Sequence, residues 1–367
     1  MMARPVLATR RALVVQKYGG TSLGSPDLIA RAARRVLAAR SMGKDVIVVV
    51  SAMAGETDRL LTLARGMSPG APARELDVVA SAGEQVSAGL MAIALRAAGA
   101  GARSWLGHQL PILTDSTFGS AQINSIDPTR LTATLDAGEI PVVAGFQGVD
   151  PVGNVTTIGR GGSDTTAVAV AAAVRACCEI YTDVDGVYTI DPRVSEEAQR
   201  LPAIGYGTMH AFAASGAKVL ETRSVELAMR HRVPVHVRSS MSPAEGTWVV
   251  EDDDERVTSV AGIAIARTSM GGEPCAEVSI IGPRITLDVA RVEREFAAQG
   301  LRVLASRRVH LGMVYAVPAK DAASAACLLH TMYGLADEPR APRRSPLRSR
   351  VRGVPYLVTR TEEMERS

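Results

Sequence analysis

The sequence predicts an α/β fold built around a mostly parallel sheet, followed by a smaller α+β unit of the ferredoxin-like kind. Three observations predict it. From Ala12 to about Val250, short β-branched runs alternate with Ala-rich segments, the pattern of stacked strand and helix layers. Several of these runs are apolar without alternation, as strands covered on both faces are. Beyond the acidic cluster Glu251–Glu255 the strands crowd together with two helices among them, which suits a small βαββαβ-like unit. The 367 residues suffice for two ordinary domains. A hydrophobic content of 47% with 22% charged residues is that of a chain with a packed core.

In chain order, Leu13–Gln16 reads as the first strand. Ser25–Ala39 reads as a helix: Ser25 supplies a capping hydroxyl, Pro26 the first helical position, and Asp27 a carboxylate at the positive end of the dipole. Val46–Val50 is a strand, Ser81–Ala98 a helix, and Val142–Gly145 and Asn154–Ile158 are strands. The helix Ser163–Ala176 leads to the strand Glu179–Thr182, and the helix Met209–His231 to the strand Val233–Val237. In the last part, Val257–Ala266, Ala276–Ile281, Arg302–Ser306 and Val314–Pro318 read as strands, with helices at Asp288–Ala298 and Ala322–Tyr333. The organisation expected is an N-terminal arm at 1–11, a first domain at 12–250, a second at 257–335, and an Arg- and Pro-rich tail at 336–367 with no fold of its own.

Composition excludes several functions. A net charge of +3, from 41 Lys+Arg against 38 Asp+Glu, is too balanced for a protein that lives on nucleic acid, and 4% aromatics leaves few rings to stack bases. No apolar run approaches the roughly 18 residues of a membrane span. The start, Met1–Gln16, lacks a long apolar stretch before a cleavage site, so no signal peptide is expected. Four cysteines without a CxxC form neither a zinc ribbon nor a disulfide framework; the adjacent Cys177 and Cys178 read as buried packing. Six histidines are scattered without ligand spacing, and no GxxxxGK[ST], GxGxxG, HExxH or nucleophile elbow occurs. The expectation is a soluble cytoplasmic enzyme with no metal site built from its own side chains.

Three glycine-rich turns follow predicted strands. In Gln16-Lys17-Tyr18-Gly19-Gly20-Thr21-Ser22 the glycines admit a close-lying phosphate, the hydroxyls donate to it, and Lys17 supplies charge. By itself the turn also fits a tight reversal with Lys17 reaching solvent. In Gly159-Arg160-Gly161-Gly162-Ser163-Asp164-Thr165-Thr166, Ser163 or Asp164 suits the helix cap, Arg160 a carboxylate or phosphate, and Asp164 an ammonium group. The plainer reading makes Asp164 a cap and Arg160 a surface ion pair; finding both in one strand–helix junction favours a ligand site. The third turn, Tyr181–Tyr188 running on to Asp191-Pro192-Arg193, carries an acid, hydroxyls and an aromatic where open α/β sheets bind ligands, although Asp185-Gly186 is also an ordinary turn.

These turns, with Val50-Ser-Ala-Met-Ala-Gly55, Thr57-Asp58, Ser81-Ala-Gly-Glu84, Phe146-Gln-Gly148, Gly216-Ala-Lys-Val-Leu220 and Val237-Arg-Ser-Ser240, resemble aspartate kinases of the amino acid kinase family, in the family's order across about residues 11–250. The resemblance implies a three-layer α/β/α kinase domain, a small ACT domain, and transfer of the ATP γ-phosphate to the β-carboxylate of L-aspartate with Mg²⁺. Lys17 resembles the lysine that neutralises the transferring phosphoryl group, Lys218 a second lysine near the phosphates, and Gly19, Gly20 and Ser22 the loop around them. Ser51 and Thr57 match substrate-loop positions. Glu84 and Asp164 resemble the acids near the substrate ammonium, Arg160 the partner of its α-carboxylate, and Ser163 a neighbour of that site. Thr182, Asp183, Tyr188 and Arg193 resemble nucleotide contacts.

Two departures bear on activity and control. Glu221-Thr222 follows the Lys218 motif where the family usually has His-Pro or a similar pair, and a carboxylate there weakens the lysine's pull. Val257–Gly334 has room for about one ACT unit where the family commonly has two, and its turn reads Gly282-Pro-Arg-Ile-Thr-Leu-Asp288 rather than Pro-Gly. Weak feedback inhibition and an ACT unit kept chiefly to pair subunits in a homodimer are expected. The rivals are a sister kinase with another acceptor, such as glutamate, and a non-catalytic regulatory or assembly subunit.

Overall fold

The Ser25 cap forms as the sequence predicts: its Oγ accepts from the Leu28 amide at 3.3 Å, Pro26 stands at the first helical position, and the helix runs Pro26–Ser41. A computed structural model of the chain describes residues 11–254, 257, 262–283 and 288–336. Residues 1–10 of the expected N-terminal arm, the tail after Ala336, residues 258–261 of the strand expected at Val257–Ala266 and residues 284–287 of the turn Gly282–Asp288 lie outside the described residues. The described residues fall into two compact units that part between Tyr181 and Thr182.

The first unit contains β1 (Ala12–Tyr18), α1 (Pro26–Ser41), β2 (Lys44–Val50), α2 (Glu56–Met67), α3 (Ala73–Ala97), β3 (Ala102–Trp105), β4 (Ile112–Thr114), β5 (Ile123–Ile126), α4 (Thr129–Asp136), β6 (Ile140–Ala144), β7 (Gln147–Val149), β8 (Val155–Thr157), α5 (Gly162–Val174) and β9 (Cys177–Thr182). Its main sheet runs β9-β1-β2-β6-β3, and every one of these pairings is parallel. The register sets Lys17 between Val49 and Ile180, with Tyr18 between Val50 and Tyr181. A second, mixed sheet has the order β5-β4-β7-β8.

Alternation along β1 explains the three layers. Val14 and Tyr18 join Val46, Val48 and Val50 in a core closed by Ile29, Ala33 and Val36 of α1 and Met91 and Leu95 of α3. The intervening residues, Val15 and Lys17, face the other side, where α5 packs on β1 and β2. Helix α5 is apolar nearly all round, as a helix enclosed by sheet and loops must be. The single helix expected at Ser81–Ala98 begins eight residues sooner, at Ala73, because Asp77 is buried and bonded rather than solvated. Helix α3 is long and apolar enough to cross a membrane by length and composition, yet half of that stretch is buried against neighbouring elements, as in a core helix.

The second unit contains β10 (Ala203–Gly205), α6 (Tyr206–Ala214), α7 (Thr222–His231), β11 (Val235–Ser239), β12 (Thr247–Val250), β13 (Gly262–Met270), β14 (Glu273–Ile281), α8 (Val289–Ala298), β15 (Ala305–Val309), β16 (Gly312–Pro318) and α9 (Ala322–Met332). The one helix expected over Met209–His231 is two. Gly216 interrupts it at φ +95°, where a side chain would run into Ala266 at 2.8 Å. Strands β10, β12 and β11 are adjacent in that order.

The C-terminal sheet corrects the expected βαββαβ order. The chain runs ββαββα, and the sheet is β13-β14-β16-β15 with all pairs antiparallel. Counted from β14, the strands lie 4-1-3-2, the ferredoxin-like arrangement, with the edge strand that would come last supplied by β13 at the front. Phe296 of α8 and Leu329 of α9 close one face of this sheet over Val278, Ile280 and Tyr315.

Candidate active site

Strand β1 is flanked by β2, reached through α1 on one face, and by β9, reached after α5 on the other. Its carboxyl end is therefore the point where the connections diverge, and such points open a crevice for ligands. Lys17 stands there with only 7% of its surface exposed. Its Nζ lies 2.6 Å from Asp164 Oδ1, in the first turn of α5. A buried ammonium is tolerated only with such a partner.

The first glycine turn is stitched to its neighbours by the backbone. Gly19 N–H donates to Tyr181 O at 3.1 Å, Ser51 N–H to Tyr18 O at 3.1 Å, and Ala54 N–H to Gly20 O at 3.2 Å. A side chain at Gly20 would meet Ala52 O at 2.7 Å, so only glycine lets the two loops cross. The short turn Gly20–Ser22 buries the Ser22 hydroxyl without a hydrogen-bond partner among the described residues. An unpaired buried hydroxyl is a site prepared for a polar ligand or water.

Glu84, on α3, is 3% exposed. Its Oε1 accepts from the Ala52 amide at 2.9 Å, while Oε2 has no partner among the described residues. Burial pushes this carboxyl up to about 7, against the opposing effects of the Ala52 hydrogen bond and the Lys17 charge. Gly83 beside it permits the approach, since a Cβ there would stand 2.8 Å from the Ala52 Cβ. Replacing Gly83 by alanine gains about 1 kcal/mol of helix propensity, but forced overpacking costs about 1–3 kcal/mol. The clash wins, because the Ala52 Cβ is fixed to the backbone and is not a flexible side-chain tip. Thermal denaturation of Gly83→Ala should show a lower Tm, and an unchanged or higher Tm would mean that α3 shifts freely.

The second turn differs from expectation in one respect. Neither Ser163 nor Asp164 caps α5; the cap residue is Gly161 at φ +66°, and both side chains lie inside the first turn. That places Asp164 on the face toward Lys17. Arg160 is exposed and makes no hydrogen bond or ion pair among the described residues. Ser163 is buried, its Cβ against Gly145, and Thr57 is half-buried in the first turn of α2.

Three residues that sequence reasoning passed over hold this junction. Asp77 accepts from the Thr157 amide at 2.8 Å, the Thr157 hydroxyl at 2.7 Å and the Gly119 amide at 3.0 Å. It thereby fixes β8 just ahead of the Arg160 turn. Gln147 Nε2 donates to Ser81 O at 3.0 Å, tying β7 to α3. Thr166 Oγ1 accepts from the amide of Phe146, a non-glycine residue held at φ +66°. Phe146-Gln-Gly148 was the visible signal for Gln147 and the turn Gly159–Thr166 for Thr166; Asp77 had none.

The remaining predicted residues lie in the second unit. Thr182 Oγ1 donates to Asp183 Oδ1 at 3.0 Å, and Asp183 is exposed. Tyr188 OH donates to Asp185 Oδ1 at 2.9 Å, and burial together with that bond raises the phenol. Arg193 is clasped by Asp191 through Nε and Nη2, at 3.0 and 2.7 Å, which holds the carboxyl below its usual range. Lys218 is exposed in the loop between α6 and α7, and no ion pair joins it to Glu221.

Comparison with known proteins identifies the family. The sequence pattern of the amino acid kinase family matches residues 12–239. The chain is 47% identical over 308 residues to an aspartokinase of Mycolicibacterium smegmatis, covering 83% of this chain and 70% of that one. It is 46% identical over 300 residues to an aspartate kinase of Stutzerimonas stutzeri, covering 79% and 72%. Among solved structures it resembles an aspartate kinase from Synechocystis, with a TM-score of 0.60, 30% identity, and coverage of 88% of this chain and 70% of that one. It also resembles E. coli aspartokinase III in complex with aspartate and ADP, with a TM-score of 0.63, 25% identity, and coverage of 85% and 80%.

Proposed function

The chain belongs to the amino acid kinase family, and from that membership we propose that it transfers the γ-phosphoryl group of ATP to the β-carboxylate of L-aspartate, giving 4-phospho-L-aspartate and ADP. The observation that carries this reading is the buried Lys17–Asp164 pair, 2.6 Å long, at the carboxyl end of the central strand. A β-carboxylate oxygen attacks the γ-phosphorus as the bond to the β-phosphate oxygen breaks, and ADP leaves. The aspartate carboxylate is already ionised at neutral pH, so no side-chain base is needed. The protein's work is positioning and neutralising charge.

Each group has a role in that work. Asp164 aims the Lys17 ammonium at the transferring phosphoryl group, and the Gly19-Gly20 turn with the Ser22 hydroxyl lines the space beside it. Glu84, with one oxygen unclaimed, takes the substrate ammonium. Arg160, exposed and without a partner among the described residues, takes the α-carboxylate; Ser51, Thr57 and Ser163 border the same pocket. Thr182, Asp183, Tyr188, Arg193 and Lys218, in the second unit, are read as contacts to the nucleotide. Among the described residues no three His, Cys, Asp or Glu side chains converge as a metal cage. Mg²⁺ would arrive on the nucleotide phosphates, with one or two protein carboxylates to hold it. When bound it neutralises charge developing on the phosphoryl oxygens.

Residues 12–250 are read as the catalytic part and 257–335 as an ACT-like part that pairs two subunits in a cytoplasmic homodimer, with weak feedback inhibition. Hydroxylamine trapping of the acyl phosphate tests the reaction. Aspartyl hydroxamate is the expected product; glutamyl hydroxamate would assign a different acceptor, and no product at all would leave a non-catalytic subunit. In the same assay, millimolar lysine or threonine should leave the rate nearly unchanged, and a severalfold fall would overturn the reading of weak feedback.

A further inference from the structure

The segment after β9 that carries Tyr188 and Arg193 is built into the core of the C-terminal sheet. Ile190 is fully buried in the cluster formed by Ile263, Val278, Phe296 and Leu329, and Val194 and Ala198 pack against it. The backbone agrees: Ile263 N–H donates to Thr189 O at 2.6 Å, and Cys327 Sγ donates to Val194 O at 3.7 Å. The segment closes on itself through Thr189 N–H to Gln199 O at 2.9 Å and Leu201 N–H to Val187 O at 2.8 Å.

At the middle of this contact stands a buried polar pair. His330, on α9, is 1% exposed, and its Nε2 lies 2.9 Å from Thr189 Oγ1, which is fully buried. The same Thr189 oxygen accepts from the Gln199 amide at 3.0 Å. His330 Nδ1 has no partner among the described residues. Burial lowers this imidazole, opposed only by Glu197. A neutral ring buried with one bond made and one nitrogen unpaired is an expensive way to fill a core. A leucine would pack there without that penalty, so the ring's gain must lie in where it holds Thr189.

We propose that His330 is a positioning residue for the nucleotide: through Thr189 it fixes the Tyr188–Arg193 segment, so that the C-terminal sheet acts as a permanent strut of the ATP site. This rests on the reading of Tyr188 and Arg193 as nucleotide contacts. Thr189 immediately follows Tyr188 and lies two residues before Asp191, whose carboxylate clasps Arg193. Loss of the bond frees both flanks together.

Steady-state kinetics on the full chain test it. His330→Leu should raise the KM for ATP about 10-fold, the effect of one buried hydrogen bond, with kcat and the KM for aspartate nearly unchanged. His330→Gln, which reaches Thr189 with an amide, should restore most of the ATP affinity. Equal losses in the two variants would reduce His330 to packing and overturn the proposal, as would an unchanged KM for ATP in both. If His330→Leu does not fold, Thr189→Val, which leaves α9 intact, is judged by the same criterion. Arg193→Ala separates this proposal from the reading beneath it. A normal KM for ATP in that variant would remove the nucleotide assignment itself, whereas a raised KM there beside an unaffected His330→Leu would sink only the strut.

Discussion

Replacing Lys17 by alanine is expected to lower kcat by about 10²- to 10³-fold, the loss of one preorganised charge aimed at a developing phosphoryl charge, with a much smaller change in the KM for aspartate. The variant also leaves Asp164 buried beside an empty space. Removing one partner of a buried pair costs about 3–5 kcal/mol of stability, so a fall in Tm should accompany the fall in rate. The two effects separate in the double variant Lys17→Ala/Asp164→Asn. Neutralising the orphaned carboxylate should recover much of the Tm and none of the rate. Should the double variant regain activity with its stability, Lys17 would be a structural counter-ion and the phosphoryl group would be held elsewhere. The lysine is well placed for the chemical role. It is enclosed on a strand between Val49 and Ile180, so its ammonium cannot swing out to solvent, and the electrostatic contribution of a group in so low a dielectric is large.

The turn Gln16–Ser22 stands out in the sequence as a candidate ligand loop because glycine, hydroxyl and lysine each carry a local chemical signal at fixed spacing. What the residues alone did not disclose was the long-range pairing. Asp164 read equally well as a helix cap, and only the fold, by giving the cap position to Gly161, turns it toward Lys17. The start of α3 was missed for the same reason. Arg74, Glu75 and Asp77 look like a polar loop after Pro72, until Asp77 is seen buried on Thr157 and Gly119, 80 and 42 residues away in sequence. Hydrophobic periodicity reports what a segment buries, not which distant backbone a buried acid will meet. The C-terminal sheet shows a further limit: its strands were found within a few residues, but their order was not. A strand at the front was readable, but only its pairing with β14 shows that it takes the edge that a final strand would fill.

Aspartate affinity should weaken about 10-fold between pH 8 and pH 6, because the ammonium must find Glu84 ionised and burial holds that carboxyl near 7. At pH 8 the carboxylate is ready, whereas at pH 6 a proton occupies it and must leave as substrate binds. Calorimetry in buffers of different ionisation enthalpy should therefore show proton release on binding at pH 6 and almost none at pH 8. Stability has the opposite sign. The folded value lies above the ordinary 4.5, so between about 4.5 and 7 the native state keeps a proton that the unfolded chain has lost. The substrate-free protein loses stability as pH rises through that window. Glu84→Gln should flatten both curves, with a substrate-free form at least as stable at pH 8 and aspartate binding about 10- to 100-fold weaker there, the worth of a hydrogen bond to a charged partner. A wild-type affinity that stays level from pH 6 to 8 would remove Glu84 from the ammonium site. The two opposed slopes identify the residue more surely than either alone, since a carboxylate kept only for packing would show the stability slope without the binding one.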